Sequence, residues 1–310
     1  MNHIGNIIKS YRGMLNMSRA ELAENICSEK YVYYIEKGDR TPSAQLLTLF
    51  ANKLGVDLFD HFPYLDCAHP IEVRKIMKSI IRCRQKGEFC EIDKAMEEAS
   101  RLPDFKRKPW MYELALNRIT YMMFVEQRFE EVLPAVQELI DSIDARHRTE
   151  IYMANIYMAQ STIFQIVGNL AGAKNAIAAA REIIKNKEDI QRYANVIITV
   201  MNGTMTLSYL SGCYEDTIRA ATDMIRFQEK ALEYERIHYG YFFLAFALWK
   251  TGARADAAAW FKKGLHWVLI NHRPMDVGFL SIQDGFSDLL ADPAASQDIV
   301  REFKNLYGIE

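Results

Sequence analysis

Between Arg19 and Arg40 the chain gathers cations and phenols. Arg19, Lys30, Lys37 and Arg40 supply positive charge, and Tyr31, Tyr33 and Tyr34 supply rings with a polar tip. Ser28 adds a hydroxyl and Glu29 a carboxylate acceptor. Guanidinium and ammonium groups bind phosphates and purine edges, and phenols stack on sugars, touch thymine methyls or bond phosphates. This chemistry suits a DNA duplex, although paired tyrosines also suit a protein contact. Other chemistries lack their motifs. No Gly-x-Gly-x-x-Gly, Gly-x-x-x-x-Gly-Lys-Ser/Thr, Gly-x-Ser-x-Gly or His-Glu-x-x-His occurs. The five cysteines have no close thiol-pair spacing, so neither a zinc site nor a disulfide scaffold is expected. The expectation is a protein that is not an enzyme and uses no cofactor or metal.

Those residues need a scaffold, and local signals supply one. Ile4, Ile7, Ile8, Tyr11 and Leu15 recur at helical steps, with Lys9 and Arg12 beside the stripe. Ser18 and Glu21 fit a capping box that opens a second helix buried through Leu22, Ala23 and Ile26. Cys27 is expected to pack in the turn. Ser28 caps a third helix over 29–37 with Val32 and Ile35 inward, and Gly38 stops it. A fourth helix over 43–54 buries Leu46, Leu47, Phe50, Ala51 and Leu54. Short helices around one small core make helix-turn-helix organisation, with the third helix free to enter a major groove. Its outward residues are then Glu29, Lys30, Tyr31, Tyr33, Tyr34 and Lys37. Lys9, Arg12 and Arg40 flank it within reach of phosphates.

The residues 4–62 resemble the Xre/Cro-type helix-turn-helix domain. The matching positions are Ser18-Arg19, Leu22-Ala23, Ile35-Glu36-Lys37-Gly38, Pro42-Ser43 and Leu46 through Leu54. Arg19 stands where that family usually has glutamine, and Tyr33-Tyr34 where it often has Ser-Arg. The resemblance implies DNA binding by 1–66.

From residue 67 onward, composition favours helices: glycine and proline are scarce, at 15 and 8 of 310 residues, which disfavours a turn-rich β fold. A hairpin signal recurs at Gly87, Gln127, Gly168, Gly212 and Gly252, spaced 40, 41, 44 and 40 residues apart. Bulky groups follow two places later at Phe89, Phe129, Leu170 and Tyr214, with Arg254 the exception. Ile92, Val132, Ala173, Thr217 and Ala257 stand five places after each signal. Helices flank every signal, over 73–86, 110–126, 149–167, 191–211 and 234–250 before it. Repeating hairpins bury their apolar faces on their neighbours and stack into a solenoid. The expected fold class is all-α: a helix-turn-helix domain over 1–66, then over 67–310 a right-handed superhelix of about five hairpins, capped by a sixth over 276–291 and 294–307.

The hairpins resemble tetratricopeptide repeats, with a longer period than the usual ~34 residues. The resemblance implies a concave face lined by the first helix of each pair. Counting back from the signals in that manner places four columns inward. Ten residues back stand Met77, Asn117, Met158, Asn202 and Phe242, and thirteen back Arg74, Leu114, Asn155, Thr199 and Tyr239. Six back stand Ile81, Tyr121, Thr162, Thr206 and Phe246, and three back Arg84, Phe124, Gln165, Tyr209 and Trp249. Side-chain amides carry a donor and an acceptor, so Asn117, Asn155, Asn202 and Gln165 can grip peptide bonds. Tyr121, Tyr209, Tyr239 and Trp249 can hold apolar side chains, and Arg84 adds a cation. Packing within long helices explains the same residue types.

Charge is uneven: net −1 over 1–66, +4 over 67–108 and −5 over 109–310. DNA contact is therefore expected from the first third. No export signal or apolar span is evident, so a cytoplasmic location is expected and no membrane partner.

The domain order resembles the peptide-pheromone-responsive regulators of Gram-positive bacteria, the RRNPP family. The resemblance implies a cytoplasmic homodimer on palindromic promoter DNA, switched by a short signalling peptide in the concave groove. It implies backbone-holding roles for Asn117, Asn155 and Asn202. Two other readings stay open: a ligand-independent repressor that uses its repeats for dimerisation, and an interaction scaffold that no longer touches DNA.

Overall fold

The structure is a computed structural model and describes residues 3–187, 190–271, 284–291 and 297–307. Four helices open the chain: α1 (Ile4–Met14), α2 (Arg19–Ala23), α3 (Glu29–Lys37) and α4 (Ala44–Leu54). Serine hydroxyls start three of them. Ser18 accepts the Glu21 N–H at 3.1 Å, and its own N–H donates to the Glu21 carboxylate at 2.6 Å, completing the capping box. Ser28 accepts from the Tyr31 N–H at 3.2 Å and Ser43 from the Leu46 N–H at 3.3 Å. Each cap satisfies a backbone donor that the helix itself leaves unpaired, which is worth about 1 kcal/mol.

The core of this bundle is Ile4, Ile7, Ile8, Leu22, Val32, Ile35, Leu47, Phe50, Leu54 and Leu58. α1 lies tightly on α3. A β-carbon added to Gly5 would fall 1.8 Å from the Ile35 carbonyl oxygen, so only glycine permits that approach. Five expectations change: on α4, Leu46 and Ala51 are half-buried at the edge of the core. Leu15 is exposed in the turn after α1, because the helix ends at Met14. Cys27 and Ile26 are half-buried, since the α2–α3 turn runs along the surface.

A 3-10 turn, Phe59–Tyr64, leads to α5 (Pro70–Lys86) and α6 (Phe89–Ser100). The chain forms two compact units: Met1–Ile81 with Lys94–Leu114, and Arg82–Asp93 with Ala115–Glu310. In the first unit, polar ties brace the bundle, the start of α5 and the segment after α6. His61 is wholly buried, and its Nε2 lies 3.1 Å from the Tyr11 hydroxyl. Asp60 accepts from Arg74 and Lys78, each at 2.7 Å. Buried Asp104 accepts from the Ala68 and His69 N–H groups and contacts His69 Nδ1 at 2.9 Å. Those backbone donors precede α5, so Asp104 acts as a cap supplied from a distant segment.

The repeat array continues through α7 (Trp110–Phe124), α8 (Phe129–Ser142), α9 (Ile151–Ile166), α10 (Leu170–Ile184), α11 (Ile190–Leu210), α12 (Tyr214–Ala231), α13 (Ile237–Lys250) and α14 (Arg254–Asn271). Then come α15 (Asp284–Leu290) and α16 (Gln297–Tyr307). The fold is all-α: a helix-turn-helix followed by superhelical hairpin repeats. α9 contacts α8, α10 and α11, while α11 contacts α10, α12 and α13, so these two first helices each touch their partner and the next first helix. That pattern is the stacking a solenoid requires. Parts of the expected sixth hairpin, 276–283 and 294–296, lie outside the described residues.

All five hairpin turns are left-handed at the signal residue. φ is +68° at Gly87, +54° at Gln127, +77° at Gly168, +70° at Gly212 and +91° at Gly252. The column five places later is the tightest: Ile92, Val132, Ala173, Thr217 and Ala257 are each 0 % exposed. Bulky residues two places after the signals face groups on the first helices. Phe89 stacks on Phe124 at 4.4 Å, Tyr214 lies 5.7 Å from Tyr209, and Arg254 sits 3.4 Å over the Trp249 ring. The exception at Arg254 thus keeps the contact by cation–π attraction. Further along, Phe242, Phe246, Phe261, Phe286 and Phe303 join in one aromatic core.

Gln127 is the one signal residue that bears a β-carbon in the left-handed region, which costs roughly 1 kcal/mol. Gln127→Gly is therefore expected to stabilise the protein by up to about 1 kcal/mol, read as a rise in the denaturation midpoint. The gain is partly offset by glycine's greater unfolded-state entropy.

Candidate functional site

The outer face of α3 is organised by one carboxylate behind it. Glu36 is 4 % exposed. Arg12 donates to it through Nε at 2.6 Å and Nη2 at 3.2 Å, and Arg19 donates through Nε at 2.7 Å. Arg12 Nη1 also donates to the Met17 carbonyl at 2.6 Å, closing the α1–α2 turn. Burial pushes the Glu36 carboxyl up, but the hydrogen bonds and charges of Arg12 and Arg19 outweigh it and hold it below its usual range. One side chain therefore ties α1, α2 and α3 together.

Arg19 extends this tie to the surface, where its guanidinium lies 5.4 Å over the Tyr33 ring. Tyr33 meets Tyr34 edge-on at 5.6 Å, and Lys30 lies 5.9 Å over Tyr34. Glu29, Lys30, Tyr33 and Lys37 are exposed along α3, and Arg40 is exposed beyond it. Lys37 pairs with Asp39 at 3.0 Å. Ser28 is exposed, with its hydroxyl occupied by the cap. Three outward assignments need revision. Tyr31 and Tyr34 are half-buried, Tyr31 because it leans on the bundle core. Arg12 is not poised for phosphate, since its side chain is only 15 % exposed and its donors are turned inward to Glu36 and the Met17 carbonyl.

The repeat columns sort by exposure. Thirteen residues before each signal, Arg74, Leu114, Asn155, Thr199 and Tyr239 are all half-exposed. In the second unit, Asn155, Thr199 and Tyr239 belong to α9, α11 and α13, whose neighbours touch in turn. Arg236 joins them, a residue that the column count misses. Its Nη2 donates to the Thr199 hydroxyl at 3.0 Å and the Asn195 carbonyl at 3.2 Å. A cation just before the first helix of a pair is the signal that could have found it.

Ten residues before each signal the side chains turn inward instead. Met77, Asn117, Met158 and Phe242 are at most 4 % exposed. Asn117 is therefore interior, not a wall residue, because its column faces the packed interior. Asn202 is half-exposed, and its buried Oδ1 accepts no hydrogen bond among the described residues. Such an acceptor favours an incoming N–H donor. Tyr209 also departs from expectation: it is 6 % exposed, with Phe243 and Phe246 against its ring, so it is core. Tyr121, Arg84 and Trp249 are half-exposed, as is Gln165, which donates to Ser161 at 3.0 Å. Tyr121 lies under Arg118 and Trp249 under Arg254.

Among the described residues, no group of three or more His, Cys, Asp or Glu is placed to hold a metal ion, and no helix is long and apolar enough to cross a membrane.

The fold and the α3 face define a helix-turn-helix protein: residues 8–60 match the helix-turn-helix family model. The whole chain is similar in fold to Bacillus thuringiensis PlcR, solved with the peptide PapR7 and DNA. Identity is 17%, covering 91% of this chain and 100% of that one, with a TM-score of 0.70. It is also similar to ComR from S. thermophilus, solved with DNA and its signalling peptide ComS, at 16% identity over 93% of this chain and 99% of that one, with a TM-score of 0.55. No curated protein matches the sequence.

Two outcomes follow from the buried groups. Removing the Glu36 charge leaves two arginines uncompensated. Glu36→Gln is expected to destabilise the protein by about 3 kcal/mol, checked by denaturant titration above pH 6. His61 is pushed down to about 4, first by burial and then by the charge of Arg74. A histidine with a depressed folded value adds nothing above the unfolded value near 6.5. As pH falls from about 6.5 to about 4, the unfolded chain takes up the proton and stability drops. Melting midpoints should fall more steeply over that window in the wild type than in His61→Gln; equal slopes would refute this.

Proposed function

We propose that this protein is a cytoplasmic DNA-binding transcription regulator whose activity is switched by a short signalling peptide held on the first-helix faces of its repeats. In this reading residues 1–66 bind promoter DNA, and 67–310 bind the peptide and pair two copies. A homodimer would present two α3 helices to the halves of a palindromic site, which multiplies the affinity of one small domain.

One observation carries the reading. The exposed α3 face, with Lys30, Tyr33, Lys37 and Arg40, occurs in the same chain as a half-exposed column of Asn155, Thr199 and Tyr239 on neighbouring first helices. The first set suits phosphates and base edges, the second an extended backbone with apolar side chains. Asn202, with its unpaired amide oxygen, adds an acceptor for a peptide N–H. Two structures similar to this one in fold were solved with both a peptide and DNA. The conclusion for this chain is an inference from that likeness and from the two faces. Mechanistically, neighbour-only contacts let a solenoid adopt an alternative curvature, and a peptide that prefers one curvature shifts the population.

The inward turn of Asn117, Met158 and Phe242 favours a second reading, a ligand-independent repressor whose repeats serve dimerisation alone.

A promoter-binding titration separates the two. Synthetic peptides encoded by short reading frames beside the gene are added to the full-length protein and duplex. A peptide that changes DNA affinity or assembly is expected. Asn155→Ala and Tyr239→Ala should each weaken peptide binding about tenfold, roughly the loss of one desolvated contact, and leave DNA binding without peptide unchanged. DNA binding that ignores every such peptide sinks the gating half.

A further inference from the structure

The leading end of α3 carries a carboxylate where affinity for DNA alone would favour a cation. Glu29 is the first residue of α3 and is exposed. Its neighbours are committed elsewhere. Ser28 caps the helix, Tyr31 leans on the bundle core and Val32 is 0 % exposed. Lys30 lies over the Tyr34 ring. In helix-turn-helix proteins the N-terminal residues of the second helix reach base edges. Here those residues reduce to Glu29 and Lys30.

A carboxylate gains nothing from phosphates, which repel it. In the major groove it can only accept; adenine N6 and cytosine N4 both donate, but the N7 acceptor beside adenine N6 repels a carboxylate, which leaves cytosine N4 as the matching donor. The placement of Arg19 fits this use. Its guanidinium is fixed by Glu36 and Tyr33 and is close enough for the Glu29 charge to act on it. A cation there shields the carboxylate from the nearby backbone without removing it from the groove.

We propose that Glu29 is a specificity-determining residue that accepts a hydrogen bond from the N4 amino group of a cytosine in each half-site, with Arg19 offsetting its repulsion from phosphate. The inference rests on the DNA-binding reading above and goes beyond it by naming a base. It also accounts for the acidic balance of the small domain: net −1 over 1–66 weakens sequence-independent binding and leaves discrimination to specific contacts.

Binding selection from a randomised duplex pool tests this, with the full-length wild type, Glu29→Gln and Glu29→Ala compared side by side. Wild type should enrich a cytosine at one fixed position of each half-site. Glu29→Gln should move that position to adenine, because a side-chain amide pairs with adenine N6 and N7. Glu29→Ala should flatten the preference there by about tenfold, while binding to duplex outside the motif holds or rises. A purely structural role at the helix N-terminus predicts otherwise: a lowered melting midpoint with the enriched base unchanged, which overturns the proposal. So does a wild-type motif without that cytosine, or an equal loss on all sequences. Should the wild type enrich no sequence, the DNA-binding reading fails first and this inference with it.

Discussion

The small domain depends on a shared charge. Glu36 is buried in the last turn of α3, and its cost of desolvation is met by three hydrogen bonds from Arg12 and Arg19. Those arginines come from α1 and the start of α2, so α3 cannot tilt without breaking them. The glycine approach at Gly5 acts in the same direction, because α1 can shift little while the Ile35 carbonyl fills that space. The α3 surface is thereby held by interior contacts rather than by its own exposed side chains. Preorganisation of this kind lowers the ordering cost of binding.

The same logic continues below the bundle. His61, Asp60 and Asp104 are polar groups whose partners lie on other segments: Tyr11, then Arg74 and Lys78, then the backbone before α5. The Asp60 pairs join the helix-turn-helix to α5, while His61 braces the turn against α1 and Asp104 ties the backbone before α5 to the segment after α6. Movement of α5 within that unit would therefore be felt by the bundle through charge and hydrogen bonding, which are directional and break abruptly.

In the array the constraint is backbone handedness. Each of the five signal hairpins turns through a left-handed residue, and its second helix then places a small or apolar group at full burial five positions later. Those two requirements set the spacing of the repeats. The first-helix columns hold amides, threonines, aromatics and methionines in no fixed order. Phe242, Phe246, Phe261, Phe286 and Phe303 pack α13, α14, α15 and α16 together in one aromatic core.

Much of this was legible from residue order alone. Ser18, Ser28 and Ser43 announce helix starts because a short hydroxyl can satisfy a backbone donor only there. Gly38 and the four hairpin glycines announce ends because few other residues tolerate positive φ. Periodic apolar positions give the core. The helix-turn-helix and the hairpin array follow from such local rules. What lay beyond them was which way each polar side chain faces and what it meets. Asn117 and Tyr209 read as wall residues by counting but are interior, since a column shifted by a fraction of a turn changes from groove to core. Arg12 reads as a phosphate ligand, yet Glu36, distant in sequence, claims it. Arg236 became visible only through Thr199, 37 residues away. Local backbone preference is written residue by residue. The partner of a buried charge or amide depends on helices that meet only after folding, and only the tertiary structure decides it.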